Sequence, residues 1–263
     1  MSGSPDRTDP DDHHVARQLA TEAGTLLIQL RDQLTASGAT PADLKAEGDR
    51  RANTWIMERL AELRPDDPVL SEEERERPDT IAKRLASSRA WIVDPLDGTR
   101  EFSETPRTDW AVHVALCIDG EPVVGAVALP ALGVTLSTAE PPPLPTPAAG
   151  GAPRVVVSRS RPPAQAVRIA DELGGTLVPM GSAGAKAMAV VRGEADLYPH
   201  SGGQYEWDSC APVAVALAAG LWCSRLDGSP LRYNNADPYL PDLLICRPEY
   251  AADAIRAARN GHG

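Results

Sequence analysis

The sequence predicts an α/β protein with an α+β N-terminal half and an α/β C-terminal half. Three observations carry this. Apolar residues recur at helical spacing over 13–34 and again from 49 to 60. The apolar runs 109–118, 122–129 and 133–138 follow one another with only turns between them, as antiparallel strands do. After the Pro- and Gly-dominated stretch 139–153, strand-like and helix-like segments alternate.

Residues 1–11 are polar and rich in Asp and Pro, and are expected to form a disordered tail. Val15, Leu19, Ala23, Leu26, Leu27, Leu30 and Leu34 then lie on one face of a helix. A second helix is expected from about Asp49 to Leu60, with Ala52, Ile56 and Leu60 on its apolar face and Pro65 and Pro68 beyond its end. Val69-Leu70 reads as a short strand leading into Ser71-Glu72-Glu73, and residues 74–88 as charged and irregular. Trp91-Ile92-Val93 opens the next strand. The 139–153 segment, AEPPPLPTPAAGGAP, marks the boundary between the halves 12–138 and 154–263. Beyond it come strands at 154–157, 176–179 and 196–198 and helices at 162–173 and 184–193. An apolar helix at 208–219, strands at 222–226 and 243–246, and a helix at 248–260 complete the chain.

With 263 residues the chain can bury a full core. Only 4% of residues are aromatic, so Ala, Val and Leu must fill most of it. A net charge of −11 without a basic stripe argues against a nucleic-acid polymer as partner. It does not exclude a small anion, because bound cations reverse the local potential. Cys117, Cys210, Cys223 and Cys246 form no CxxC pair and sit in apolar surroundings, so buried reduced thiols are expected. No signal peptide and no apolar run of the roughly 20 residues that span a bilayer is visible, which makes the cytoplasm the expected location. His13, His14, His113 and His200 are read as structural or solvent-exposed.

Four acids stand where apolar elements begin or end: Glu72, Asp94, Asp97 and Asp208. Each has an ordinary alternative. Glu72 can open a solvated charge run, Asp94-Pro95 and Asp97-Gly98 can be turn residues, and Asp208 can cap a helix. Together they send four carboxylates toward one loop face, the oxygen-rich donor set that hard divalent cations take. The spacing Asp-x-x-Asp-Gly-Thr differs from the Asp-x-Asp-x-Thr of phosphoaspartate enzymes, and no P-loop is present.

Glu72-Glu73, Asp94-Pro95-Leu96-Asp97-Gly98-Thr99 and Trp207-Asp208 resemble the three-part signature of the inositol monophosphatase superfamily, over about residues 13–248. These are magnesium-dependent, lithium-sensitive phosphatases. The resemblance implies an αβαβα layered sandwich of the inositol monophosphatase and fructose-1,6-bisphosphatase type. It implies two or three Mg²⁺ ions: one on Glu72, Asp94 and the backbone carbonyl of Leu96, a second on Asp94, Asp97 and Asp208, and a weaker third on Glu72. Thr99 and Glu72 would orient and deprotonate a metal-activated water, Asp49 would support Thr99, and the N–H groups at Gly98 and Thr99 would face the phosphate. The partner is then a small phosphorylated substrate, and the protein a monomer or homodimer.

Within the superfamily three features resemble the 3′(2′),5′-bisphosphate nucleotidase branch, whose members act in sulfur assimilation. Val157-Ser158-Arg159-Ser160-Arg161 resembles a Ser-Arg-Ser-His segment near the nucleotide, with Arg161 in place of the histidine. Gly181-Ser182-Ala183-Gly184-Ala185-Lys186 resembles that branch's glycine-rich loop and lysine, with Lys186 a point charge for a second phosphate. Ser201 stands where inositol phosphatases carry the glutamate that grips inositol. The substrate-binding set implied is Asp97, Gly98, Thr99, Ser158, Arg161, Ser182, Lys186 and Asp208. The resemblance leaves inositol-1-monophosphatase and fructose-1,6-bisphosphatase activity as alternatives on the same metal site, and a non-catalytic relative as a remote one.

Overall fold

The computed structural model describes residues 10–74, 77–144 and 151–259. In chain order the helices are α1 (Pro10–Ala36), α2 (Pro41–Leu63), α3 (Pro78–Ala86), α4 (Thr99–Ser103), α5 (Ala164–Glu172), α6 (Ala183–Val191), α7 (Glu206–Ala218) and α8 (Ala251–Arg259). The strands are β1 (Val69–Ser71), β2 (Arg89–Asp97), β3 (Ala111–Ile118), β4 (Glu121–Leu129), β5 (Val134–Ser137), β6 (Arg154–Ser158), β7 (Thr176–Met180), β8 (Leu197–Tyr205), β9 (Trp222–Ser224) and β10 (Tyr239–Cys246). They form two five-stranded sheets, β1-β2-β3-β4-β5 and β7-β6-β8-β10-β9. The first is antiparallel except for the parallel β1–β2 pair. In the second, β7, β6 and β8 run parallel, and β10 and β9 join antiparallel.

The layers follow from which face each strand residue buries. Side chains alternate across a strand. In β2 and β3, Trp91, Val93, Val112 and Val114 pack with Leu19, Leu27, Ile56 and Leu60 of α1 and α2. Ile92, Ala111, Ala115 and Cys117 face the other way, into a core shared with Met188 of α6, Val213 of α7 and Val156 and Ile245 of the second sheet. The outer face of that sheet packs on α5 and α8 through Val155, Val157, Ile169, Leu244 and Ala254. The order is helix, sheet, helix, sheet, helix, the expected αβαβα sandwich. Because β2 and β3 are covered on both faces they read as unbroken apolar runs.

Several boundaries differ from the sequence reading. Helix α2 starts at Pro41 rather than near Asp49, because Thr40 makes a capping box: its hydroxyl accepts the Asp43 N–H at 3.2 Å, and the Asp43 carboxylate accepts the Thr40 N–H at 2.9 Å. The stretch expected to be irregular at 74–88 contains α3, started by Pro78 and held by the fully buried Arg84, which donates to Asn234 Oδ1 at 2.7 Å. Strand β8 runs on to Tyr205 instead of stopping at 198 because it pairs with β10 along that length. Of the expected tail 1–11, positions 1–9 lie outside the described residues, and Pro10 begins α1. All four cysteines are free thiols. Among the described residues no helix is long and apolar enough to cross a membrane.

Helix α7 lies directly against the first sheet at Gly125 of β4. A Cβ there would fall 2.7 Å from both the Ala211 carbonyl oxygen and the Ala214 Cβ. Gly125→Ala is therefore expected to push α7 off the sheet and lower stability by about 1–3 kcal/mol, the usual cost of overpacking. Urea unfolding checks this as a fall in midpoint at unchanged slope.

Candidate metal and phosphate site

The site sits where β2 ends against the middle helix layer. In a regular strand Asp94 and Asp97, three residues apart, would point to opposite faces. The β2–β3 ladder breaks register between them, with Asp94 opposite His113 and Asp97 opposite Ala111, and this irregularity re-aims the strand end. From the other side α7 supplies Asp208 in its first turn, where its carboxylate accepts the Tyr205 N–H at 2.7 Å. One carboxylate oxygen each from Asp94, Asp97 and Asp208 lie within 4.8 Å of one another. Strand β1 pairs parallel to β2 with Ser71 opposite Val93, and the Glu72 N–H donates to the Val93 carbonyl at 3.3 Å. That register sets Glu72 beside Asp94 at the open rim.

Crowding acids raises their proton affinity. Burial and the acids Glu72, Asp97 and Asp208 push Asp94 well above the usual carboxylate range. Desolvation of the carboxyl and the charges of Asp208, Asp97 and Glu73 raise Glu72 to about 7, and burial together with Asp97 raises Asp208 to about 7. Asp97 behaves in the opposite way. Burial would raise it, but His113, Ser182 and Lys186 hold it at about 2. Its Oδ1 accepts the Ala183 N–H at 3.0 Å, and its Oδ2 accepts Ser182 Oγ–H and the Gly184 N–H, each at 2.5 Å. These donors are the first turn of α6, whose positive end faces the carboxylate. Among the four acids Asp97 is the fixed anion, and the other three share protons in the absence of a cation.

Thr99 follows Gly98, whose left-handed backbone (φ 85) turns the chain from β2 into α4. Its hydroxyl lies 3.2 Å from both Asp49 Oδ1 and the Leu96 carbonyl oxygen, so one proton is shared between two acceptors. Burial, aided by the charge of Glu73, lifts Asp49 to about 6. The Leu96 carbonyl therefore lies beside Thr99, one residue from Asp97. A set of carboxylates and one carbonyl, with no sulfur or imidazole among the donors, fits a hard divalent cation.

The residues expected to contact substrate divide. Ser182 and Gly98 meet at the cluster: a Cβ on Gly98 would fall 2.9 Å from that of Ser182. Ser158 ends β6, with its Oγ 3.5 Å from that of Ser160, and Arg161 is exposed just beyond. Lys186 was expected to be a point charge for a second phosphate. In the structure it is buried, its ammonium donating to the Gly181 and Ser182 carbonyls at 2.8 and 2.6 Å and lying 5.3 Å from the Tyr198 ring centroid. It braces the turn that clamps Asp97.

Four contributors were missed in the sequence. His113 is fully buried, with Nδ1 3.0 Å from the Trp207 carbonyl and Nε2 3.2 Å from Asp97. Its place in β3, on the face opposite Val112 and Val114, was the available signal. Asn53 bridges Ser71 and Glu74 at 2.8 and 2.9 Å. Asp109 accepts the Gly181 N–H at 2.6 Å. Arg159, within the highlighted Ser-Arg-Ser-Arg segment, pairs with Glu101 and Glu104 at 2.6 and 2.7 Å.

The raised acids set a pH dependence. An acid with a higher pKa folded than unfolded stabilises the fold below its unfolded pKa, and this is lost as pH rises through the folded value. Glu72 and Asp208 place that loss between about 4 and 7. Depressed Asp97 contributes the reverse, lost only as pH falls below about 4. Chelator-treated protein is thus expected to melt lower at pH 7.5 than at pH 5.5. Mg²⁺ at about 100 times its pH 7.5 dissociation constant is expected to add ~2.7 kcal/mol there, and the same concentration is expected to add less at pH 5.5, where protons compete for the acids. Calorimetric melting at both pH values, with and without Mg²⁺, checks the sign.

Residues 11–262 match the family described as "Inositol monophosphatase family". The chain is 51% identical over 242 residues, 88% of its length and 86% of the relative's, to the 3′-phosphoadenosine 5′-phosphate phosphatase of Mycobacterium tuberculosis. It is 34% identical over 249 residues, covering 85% of this chain and 94% of the relative, to the 3′(2′),5′-bisphosphate nucleotidase CysQ of Escherichia coli strain K12. The crystal structure of CysQ from Bacteroides thetaiotaomicron superimposes with a TM-score of 0.76 at 27% identity, over 90% of this chain and 97% of that one. The chain belongs to the inositol monophosphatase family.

Proposed function

We propose that this protein hydrolyses the 3′-phosphate of 3′-phosphoadenosine 5′-phosphate, or of its 5′-phosphosulfate relative, with Mg²⁺ held by Glu72, Asp94, Asp97, Asp208 and the Leu96 carbonyl. The observation that carries the reading is the convergence of Asp94, Asp97 and Asp208 within 4.8 Å, with the Thr99 hydroxyl one turn away. The identity of 51% to a phosphatase named for this nucleotide selects the ester.

Bound Mg²⁺ would neutralise phosphate charge, acidify an attacking water and stabilise the departing oxygen. The chain's own residues do the rest. Water oxygen bonds to phosphorus, the bond from phosphorus to the 3′ oxygen breaks, and that oxygen takes a proton, leaving phosphate and AMP, or adenosine 5′-phosphosulfate where the ester is the phosphosulfate. Thr99, its hydrogen directed at Asp49 or Leu96, has lone pairs left to accept from and orient the water. Asp49, lifted by burial to about 6, is placed to take up its proton near neutrality, with the Glu72 carboxylate as a second acceptor. Asp97, clamped by α6, keeps its charge through the cycle. The N–H groups of Gly98 and Thr99 face the phosphate, and Ser158, Arg161 and Ser182 line the approach of the rest of the nucleotide. Lys186 acts through the turn it braces. Lithium inhibition, a cytoplasmic location and a role in sulfur assimilation belong to the same reading.

Phosphate release measured at equal Mg²⁺ from 3′-phosphoadenosine 5′-phosphate, inositol 1-phosphate and fructose 1,6-bisphosphate tests the substrate. The nucleotide is expected to lead, and a lead for inositol 1-phosphate overturns the assignment while sparing the metal site. Asp94→Asn is expected to abolish turnover of every substrate, yet to melt at or above wild type without metal because it relieves carboxylate crowding. A D94N enzyme at wild-type rate sinks the site. Thr99→Ala is expected to lower kcat by about 10²-fold or more, the usual worth of a proton-handling group.

A further inference from the structure

The surface holds an aromatic feature that the chemistry at phosphorus does not use. The chain has few large rings, 1 Phe, 5 Tyr and 5 Trp, eleven in all. Three of them meet at one corner. Tyr205 and Trp207 stack with centroids 4.8 Å apart and planes 10° from parallel, and Tyr239 meets Tyr205 edgewise at 5.9 Å and 81°. Trp207 is anchored against the central core, whereas Tyr205 and Tyr239 are 41% and 45% exposed. Grouping exposed rings in so aromatic-poor a chain leaves apolar surface in water that the fold itself does not need.

The corner adjoins the reaction site. Tyr205 immediately precedes α7, and its N–H is the donor that holds the Asp208 carboxylate at 2.7 Å. Tyr239 is its cross-strand partner in the β8–β10 ladder. Beside the rings, Gly202 and Gly203 leave open space: a Cβ on either would meet nothing within 4 Å. The Gly203 N–H, 3.4 Å from the Tyr239 hydroxyl, orients that ring. Exposed rings beside unobstructed glycine backbone are what a nucleobase needs, since every base offers a π-face and stacking requires no hydrogen-bond code.

We propose that the Tyr205–Trp207–Tyr239 corner is the platform on which the purine base of the substrate stacks. This rests on the nucleotide reading above and makes Tyr205 and Tyr239 specificity-determining residues. It leaves Arg161, at the end of β6, for phosphate rather than for the base.

The test is a cycle of kcat/KM values. Wild type and Tyr205→Ala are each assayed with 3′-phosphoadenosine 5′-phosphate and with the base-free 1-deoxyribose 3,5-bisphosphate. Y205A is expected to cost about tenfold or more with the nucleotide, mostly in KM, in line with the worth of one base stack. With the base-free ester its cost should be at least tenfold smaller. Tyr205→Phe, which keeps the π-face, is expected to restore the nucleotide KM. Titration calorimetry with AMP supplies a readout independent of turnover, and Y205A should bind it about tenfold more weakly. Equal losses on both esters, or an unchanged AMP affinity, overturn the platform. A wild-type enzyme that releases no phosphate from the nucleotide sinks the functional reading instead, before any variant is compared.

Discussion

The constraint on which the rest depends is electrostatic. Three carboxylates from two structural layers are held within 4.8 Å, and like charges at that distance repel. The fold tolerates this by placing acids at the positive ends of helices. Asp97 takes the first N–H groups of α6, and Asp208 lies in the first turn of α7. Only Asp97 receives a full clamp, from Ser182, Ala183, Gly184 and His113, and only Asp97 is held down at about 2. The cluster is therefore neither fully ionised nor neutral without metal. It is one fixed charge surrounded by groups that exchange a proton for a cation.

This arrangement explains the buried residues around it. Lys186 is desolvated deep in the fold, which lowers its proton affinity, yet the charges of Asp97, Asp208, Glu101 and Asp109 counter that loss. Its ammonium holds two carbonyls of the Gly181–Ser182 turn, and that turn holds Asp97. His113 connects Asp97 to the Trp207 carbonyl and so ties the two aspartate-bearing elements to one imidazole. Removing any of these contacts leaves an acid without its compensation, and that is costlier than losing a neutral hydrogen bond.

The legible parts of the sequence were those with a local cause. The acids were visible because turns and strand ends punctuate them, as at Asp94-Pro95 and Asp97-Gly98. The α+β half followed by an α/β half was visible because apolar runs and helical spacing are local, whereas the five-layer order came with the resemblance that the acid motifs carry. What stayed hidden depends on partners distant in the chain. His113 reads as one more strand residue until Asp97 and Trp207 arrive from elsewhere. Lys186 reads as a point charge for a substrate phosphate until the fold buries it. The start of α2 is a different case. The Thr40-Pro41-Ala42-Asp43 cap was in plain view, but helical periodicity in the following residues is weak and drew the boundary inward.

The same geometry makes the site the joint of the molecule. Asp94 and Asp97 come from the first sheet, whereas Asp208 and the Ser182–Gly184 donors come from helices lying between the two sheets. Packing α6 and α7 onto the first sheet therefore assembles the donors in the same step that buries the central core, so apolar burial supplies the free energy that brings the carboxylates together. A cation that then joins the acids strengthens the contact between sheet and helices, because its ligands lie on both. Metal affinity and the stability of this interface are one coupled quantity, and residues that touch no substrate, such as Gly125 at the α7 contact, act on chemistry through it.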